Sequence, residues 1–246
     1  MHYYKIIRNK VYLAKYLAYC GLCSRRKAVI LIKKGLIKVN EEVIKEVTYF
    51  VEPKDIIKYK NKIIKPQDFI YTLLNKPKNY ITTLSDEKGR KTVLDLIKNE
   101  QMQRIYPVGR LDRNTTGLLL LTNDGQLAQK LSHPKFGISK KYHVVLDKPF
   151  LPKDFELLKK GLRLKDGFIK PDKLYYGRSL SKKHIILQLH SGKNLIVRRI
   201  FEHLGYKIKK LDRVEYAGLT KKGLSQGKWR LLTKKEIEAL KKRFKI

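Results

Sequence analysis

The chain has 246 residues, with 57 Lys and Arg against 22 Asp and Glu, a formal charge of +35. Its hydrophobic fraction of 42% supports a packed core, which weakens the disordered reading that high charge alone would suggest. No apolar run approaches the ~20 residues of a membrane helix, the N-terminus lacks the apolar stretch of a signal peptide, and the two cysteines make no disulfide scaffold. A soluble, cytoplasmic, polyanion-binding protein of one or two domains remains. Part of the Lys excess is compositional, but the first forty residues hold ten Lys or Arg and no acid. That polarity suits docking onto phosphate and points to nucleic acid.

Residues 8–64 read as a small first domain. Val11–Cys20 has helical spacing and stops at Gly21. Ser24 is placed to cap a second helix, Arg25–Lys34, which Gly35 closes. On that helix Arg26 and Lys33, and Lys27 and Lys34, stand seven residues apart and share a basic face with Arg25 beside it, while Ala28, Leu31 and Ile32 turn toward a core. Short β-rich runs follow at Leu36–Asn40, Val43–Val47 and Ile56–Tyr59, and 61–68 reads as a polar linker. The second domain is expected over 69–246. Its strands are expected at Phe69–Leu74, Ile105–Val108, Leu118–Thr122, Tyr142–Leu146, His184–Leu189 and Val214–Ala217, and its helices at Val93–Lys98, Gln126–Ser132, Lys153–Lys160, Asn194–Leu204 and Lys234–Lys242. These elements do not alternate regularly, so the fold class is α+β with a mainly antiparallel sheet.

The densest segment is YPVGRLDRNTTGLLLLTNDG, residues 106–125. Leu118–Leu121 is a continuous apolar run, as in a strand buried on both faces. The loop before it carries one acid, Asp112, with Arg110 and Arg113 beside it. An acid fixed between buried strands among cations has the makings of a carboxylate nucleophile of depressed pKa. From spacing alone, a loop aspartate making a turn or a local salt bridge is the default reading. Cys20 and Cys23 form a CxxC with no second pair and no nearby His, so they read as small packed side chains. The six histidines are scattered without zinc-ligand spacing. Trp229 reads as a core residue of the last strand, and the basic C-terminal helix as a solvated one.

Resemblance adds to this reading. LAKYLAYCGLCSRRKAVILIKKGLIKVN, residues 13–40, resembles the S4-type RNA-binding domain first described in a small-subunit ribosomal protein. Glu41 stands where that family has Gly, so the hairpin turn takes another form. GRLDRNTTGLLLLTNDG resembles the catalytic motif of the pseudouridine synthases, and its flanks LLNKPKNYITT, HPKFGISKKYHVVL, GKNLIVRRIFEHLG and LDRVEYAGLTKKGLSQGKWRLLT are similar too. With an S4-like domain in front, the whole chain is similar to the RsuA family of ribosomal RNA pseudouridine synthases. TNDGQLAQKLSHPKFG is closest to its RluB type, which acts on large-subunit (23S) rRNA.

The resemblance implies roles for particular residues. Asp112 matches the essential aspartate, and Arg110 the arginine that helps displace the target base. Tyr142 in KKYHV matches the aromatic residue that packs on uracil, and Arg198 in VRR the basic residue that pairs with the aspartate. Helix spacing agrees for the last: Val197, Ile200, Phe201 and Leu204 form an apolar stripe with Arg198 at its edge, while Arg199 faces away. Leu195 and Ile196 replace the Arg and the Gln or Glu usual in the family. Arg25, Arg26, Lys27, Lys33 and Lys34 are the expected RNA-binding cations. The implied reaction, uridine to pseudouridine, needs no cofactor and no metal. The expected partner is ribosomal RNA or a pre-ribosomal particle, with no membrane, and the chain is expected to be a monomer. The alternative is a non-catalytic rRNA-binding or ribosome assembly factor on the same scaffold.

Overall fold

A computed structural model describes residues 10–97 and 104–245. They form two compact units, one ending at Phe69 and the other beginning at Ile70.

In the first unit the opening helix runs from Leu13 to Tyr19. It starts later than its spacing suggests because strand β1 (Val11–Tyr12) pairs antiparallel with β4 (Phe50–Val51), and the Tyr12 ring stacks on Phe50 at 4.2 Å. Gly21, at φ +71°, ends it. The second helix is Arg25–Lys33, where Ser24 Oγ accepts the Lys27 N–H at 3.3 Å. It buries Ala28 and Ile32 against Leu13, Leu17, Ile37 and Val39. Arg25, Arg26, Lys27, Lys33 and Lys34 are all exposed.

A small antiparallel sheet completes the unit in the order β3-β2-β5-β6: β2 is Ile37–Val39, β3 Glu42–Val43, β5 Ile57–Tyr59 and β6 Lys62–Ile63. Asn40 and Glu41 both adopt positive φ, 50° and 71°, the signature of a two-residue type I′ hairpin turn. An ion pair to Lys58 holds the Glu41 side chain. The expected linker at 61–68 begins later, because Lys62–Ile63 pairs back onto Lys58–Tyr59. Cys23 is buried in the core and Cys20 packs against it, as the packed reading of the CxxC requires. Burial pushes the Cys20 thiol up to about 12.

The second unit is built on a mixed, mainly antiparallel sheet. Its main strands are β7 (Tyr71–Lys76), β9 (Thr116–Thr122), β10 (Lys140–Leu146), β13 (Lys173–Tyr176), β14 (His184–Leu189), β15 (Ile208–Tyr216) and β17 (Trp229–Leu231), ordered β13-β14-β10-β15-β9-β7-β17. Short β8 (Tyr106–Pro107) pairs with β9 and β16 (Leu219–Thr220) with β15, while β11 (Leu162–Leu164) and β12 (Gly167–Ile169) form a separate hairpin. β15 and β9 run parallel, meeting at Thr116–Asp212 and Gly117–Arg213. Gly117 is required there: at φ +106°, a Cβ would fall 2.3 Å from the Arg213 carbonyl oxygen. Leu118–Leu121 is fully buried, as a strand covered on both faces must be.

Among the described residues, two apolar cores lie against this sheet. One gathers β7 and β9 residues with Val93, Ile105 and Leu111, and Trp229 packs against it. The other packs the helices Pro152–Lys160 and Ile196–His203 onto β10 and β14. The expected helix at Val93 is a single 3₁₀ turn, Val93–Leu96, and Lys98 lies outside the described residues. Asp124, buried at the end of β9, caps the Gly125–Ser132 helix by accepting the Gln126 and Leu127 N–H groups at 3.1 Å each. The chain ends in a basic helix, Lys234–Phe244, with a Thr233–Glu236 capping box.

Candidate active site

Between the two cores a cleft of about 270 Å³ opens in the second unit. Leu111 lines it from one core, and Tyr142, Val197 and Leu211 line it from the other. The loop that carries Asp112 forms its rim. That loop is a turn in which the Thr115 N–H donates to the Asp112 carbonyl at 3.0 Å and the Thr115 hydroxyl to Asp112 Oδ2 at 3.4 Å. Thr82 holds the neighbouring Leu111 from both sides: its hydroxyl donates to the Leu111 carbonyl at 2.7 Å and accepts the Leu111 N–H at 3.2 Å.

Beneath the loop lies a residue that hydropathy reading passes over. Lys76, at the end of β7, is fully buried, and its ammonium donates to the carbonyls of Pro77, Arg113 and Thr115 at 3.0, 3.3 and 2.8 Å. Burial pulls its pKa down to about 8, against the opposing pull of the Asp112 charge. One cation thus ties the first strand of the domain to two carbonyls of the turn that follows Asp112. Its sequence signals were its place just before a proline, after the Leu73–Leu74 pair, and within the family-like flank LLNKPKNYITT.

The structure brings the four residues singled out from the second unit to this one cleft: Asp112, Arg110, Tyr142 and Arg198 all line it. Arg198 Nε lies 4.0 Å from Asp112 Oδ2. Arg199 turns the other way and pairs with Asp166, at 2.8 Å from Oδ1 and 2.9 Å from Oδ2. Tyr142 is in the wall, only 9% exposed. The expectation of a buried acid needs correction. The Asp112 side chain is 45% exposed and that of Arg198 31%, because the turn stands at the rim rather than between the strands. Asp112 does make the turn and ion pair of the default reading, but its ionic partner comes from a distant helix and shares its cleft.

Leu195 and Ile196 also line the cleft. Leu195 sits in the left-handed region, φ 51° and ψ 24°, just before the Ile196–His203 helix, so that helix is shorter at its start than Asn194 would give. A second groove of about 360 Å³ adjoins the first and shares Arg110, Leu111 and Asp112 with it. Sequence reasoning also missed Lys140 and Arg213, two cations of the cleft wall. Lys140 donates to the carbonyls of Ile138 and His190 at 3.0 and 3.2 Å, and burial, then the Arg213 charge, brings its pKa to about 8.

Residues 70–203 match the family model described as RNA pseudouridylate synthase, and residues 13–57 match the S4 domain. A Bacillus subtilis protein named ribosomal large subunit pseudouridine synthase B is 45% identical over 93% of this chain and 95% of its own. The Escherichia coli dual-specificity RNA pseudouridine synthase RluF is 31% identical over 93% of this chain and 78% of its own. A solved structure titled as a pseudouridylate synthase superposes with a TM-score of 0.67 at 28% identity, covering 94% of this chain and 99% of that one. With a family model matched over more than half its length and a 45% identical relative covering nearly all of it, this chain belongs to the RNA pseudouridylate synthase family.

Proposed function

We propose that the protein converts a uridine of large-subunit ribosomal RNA to pseudouridine, with Asp112 as the catalytic carboxylate. The observation that carries this is the single cleft in which Asp112 meets Arg198 at 4.0 Å with Tyr142 in the wall. The reaction breaks the bond from C1′ to N1 and forms one from C1′ to C5. The C5 proton leaves and N1 gains one, with no net redox change. A carboxylate at the rim can reach C1′ while the base sits deeper. Tyr142 offers a flat surface for the loosened ring, and the Arg198 guanidinium orients the carboxylate. A cleft near the small end for ligand sites suits a single nucleoside, so the uridine must leave its helix first, at a few kcal/mol. Arg110, exposed at the rim, is placed to help hold the RNA open.

The exposed cations of the Arg25–Lys33 helix supply phosphate contacts, and the relatives' names support ribosomal RNA of the large subunit as the substrate. A non-catalytic assembly factor on this scaffold would have no use for the Asp112–Arg198 cleft. No helix among the described residues is long and apolar enough to cross a membrane. A cleft complete within one chain supports action as a monomer, in the cytoplasm where such RNA lies. The test is to incubate rRNA from cells lacking the protein with the purified chain and map pseudouridines. The expected result is new pseudouridine at one or a few large-subunit positions. No new pseudouridine in any rRNA would overturn the reading.

A further inference from the structure

Arg213 is the most enclosed cation of the cleft, 2% exposed on β15. Its position is fixed on three sides. Its backbone lies against Gly117, where no side chain fits. Its Nε donates to the Leu118 carbonyl at 2.7 Å, and its guanidinium carbon lies 4.4 Å from the centre of the Tyr216 ring. Tyr216 is in turn held by its hydroxyl, which donates to the Leu131 carbonyl at 3.0 Å. Across the β10–β15 ladder, Arg213 is opposite Tyr142, so the two project from the same face. Nη2 is the buried side-chain nitrogen left without a hydrogen-bond partner among the described residues. A buried guanidinium N–H without an acceptor is costly; Nη2 is covered in the empty cleft, so a ligand oxygen reaches it by a small shift of the wall that Arg213 lines.

We propose that Arg213 is a substrate-binding residue whose Nη2 donates to a carbonyl oxygen of the target uracil. The inference rests on the uridine-isomerising function proposed above. Depth within the cleft assigns the oxygen to the base. Asp112 and Arg198 are at the half-exposed rim, where a ribose and its phosphates stay close to water, whereas Tyr142 and Arg213 form the enclosed wall that only the base reaches. One N–H directed at a uracil oxygen, with the ring against Tyr142, would hold the detached base in register while it turns. Lys140, beside Arg213, adds a second positive charge to that wall.

The test uses the full chain and unmodified large-subunit rRNA from cells lacking the protein. Arg213→Lys keeps the charge but cannot both hold the Leu118 carbonyl and reach the base. It should lower kcat about a hundredfold, the scale for losing one preorganised donor, with rRNA affinity within about threefold of wild type. A loss of rRNA affinity with kcat unchanged would put the guanidinium on the RNA outside the reacting base and overturn the assignment. Unchanged kcat per folded molecule would reduce Arg213 to a structural role. Wild-type protein supplies a second arm that does not depend on the variant's folding. RNA transcribed with 2-thiouridine or with 4-thiouridine replaces one carbonyl oxygen by a poorer acceptor. One of the two should slow the wild type, and Arg213→Lys should be insensitive to that same change. Equal turnover of both thio-RNAs and uridine RNA by the wild type overturns the proposal. If the wild type forms no pseudouridine on unmodified rRNA, the failure lies with the function itself.

Discussion

Replacing Arg198 by Met removes the guanidinium 4.0 Å from Asp112 while keeping a long apolar stem beside the cleft. Two magnitudes compete. Unit charges 4 Å apart attract by ~4 kcal/mol at an effective dielectric of 20. With side chains 31% and 45% exposed, however, the pair is open to water in the free protein, where exposed pairs contribute only about 0.2–1 kcal/mol. The variant should therefore fold normally, with Tm lowered by no more than about 4 °C. RNA closing over the cleft removes the water and moves the pair toward the larger figure. The missing interaction then appears in the barrier, and ~3–4 kcal/mol is a loss of about 10²–10³-fold in kcat. Thermal unfolding of the free protein and single-turnover pseudouridine formation on rRNA measure the two sides separately. Arg199→Met, which breaks only the pair with Asp166, should stay within a few-fold of wild-type turnover. Turnover by Arg198→Met within tenfold of wild type, or a Tm loss large enough to account for its inactivity, would refute the reasoning.

Lys76→Met leaves the carbonyls of Pro77, Arg113 and Thr115 without their donor and should cost about 1–3 kcal/mol in urea unfolding, along with turnover. The folded pKa of Lys76, about 8, lies below its unfolded value near 10.5, so folding releases a proton between the two. Wild-type stability relative to this variant should therefore rise from pH 8 to 10.5, and a falling difference would contradict the assignment. Gly117→Ala places a Cβ against the Arg213 carbonyl, a backbone atom that cannot yield, and should lower Tm far more than an exposed Gly223→Ala control. The Arg230 guanidinium holds the Glu236 carboxyl down at about 2. That stability is present above the ordinary carboxylate range and lost as pH falls toward 2, an acid limb that Glu236→Gln should lack. Alanine at Arg26, Lys27, Lys33 and Lys34 together should flatten the salt dependence of rRNA binding by up to about four charges' worth, and an unchanged slope would remove that face from the RNA contact.

Much of the architecture was legible because its signals are local. Ser24, Gly21 and Gly35 mark helix ends by capping and by positive φ, and Leu118–Leu121 announces a strand with two buried faces. His184–Leu189 is a strand over the expected residues because apolar and polar positions alternate there. What escaped depends on contacts distant in sequence. β15 begins at Ile208, six residues before its expected start, because Lys209 and Lys210 are both exposed and dilute the apolar pattern. β9 extends back through Gly117, a residue that reads as a loop until the close approach of Arg213 is seen. Val11 and Tyr12 left the helix for strand partners 40 and 38 residues away.

The site divides in the same way. The motif around Asp112 and the Val197–Leu204 stripe pointed to the cleft, and Arg198 and Arg199 do part company across their helix. The exposure of Asp112 was not legible, because apolar flanks say nothing of how far a turn projects. Lys76 and Arg213 were hidden because each is a charged residue whose burial depends on acceptors elsewhere in the chain.

The most direct measurement is pseudouridine formation by Asp112→Asn on rRNA from cells lacking the protein. The substitution keeps size and hydrogen bonding but removes the charge and the nucleophile. The half-exposed rim position makes it tolerable to the fold. The account predicts a variant that unfolds at the wild-type temperature, binds rRNA with wild-type affinity and forms no detectable pseudouridine. Turnover within tenfold of wild type, a difference of only ~1.4 kcal/mol in the barrier, would contradict it.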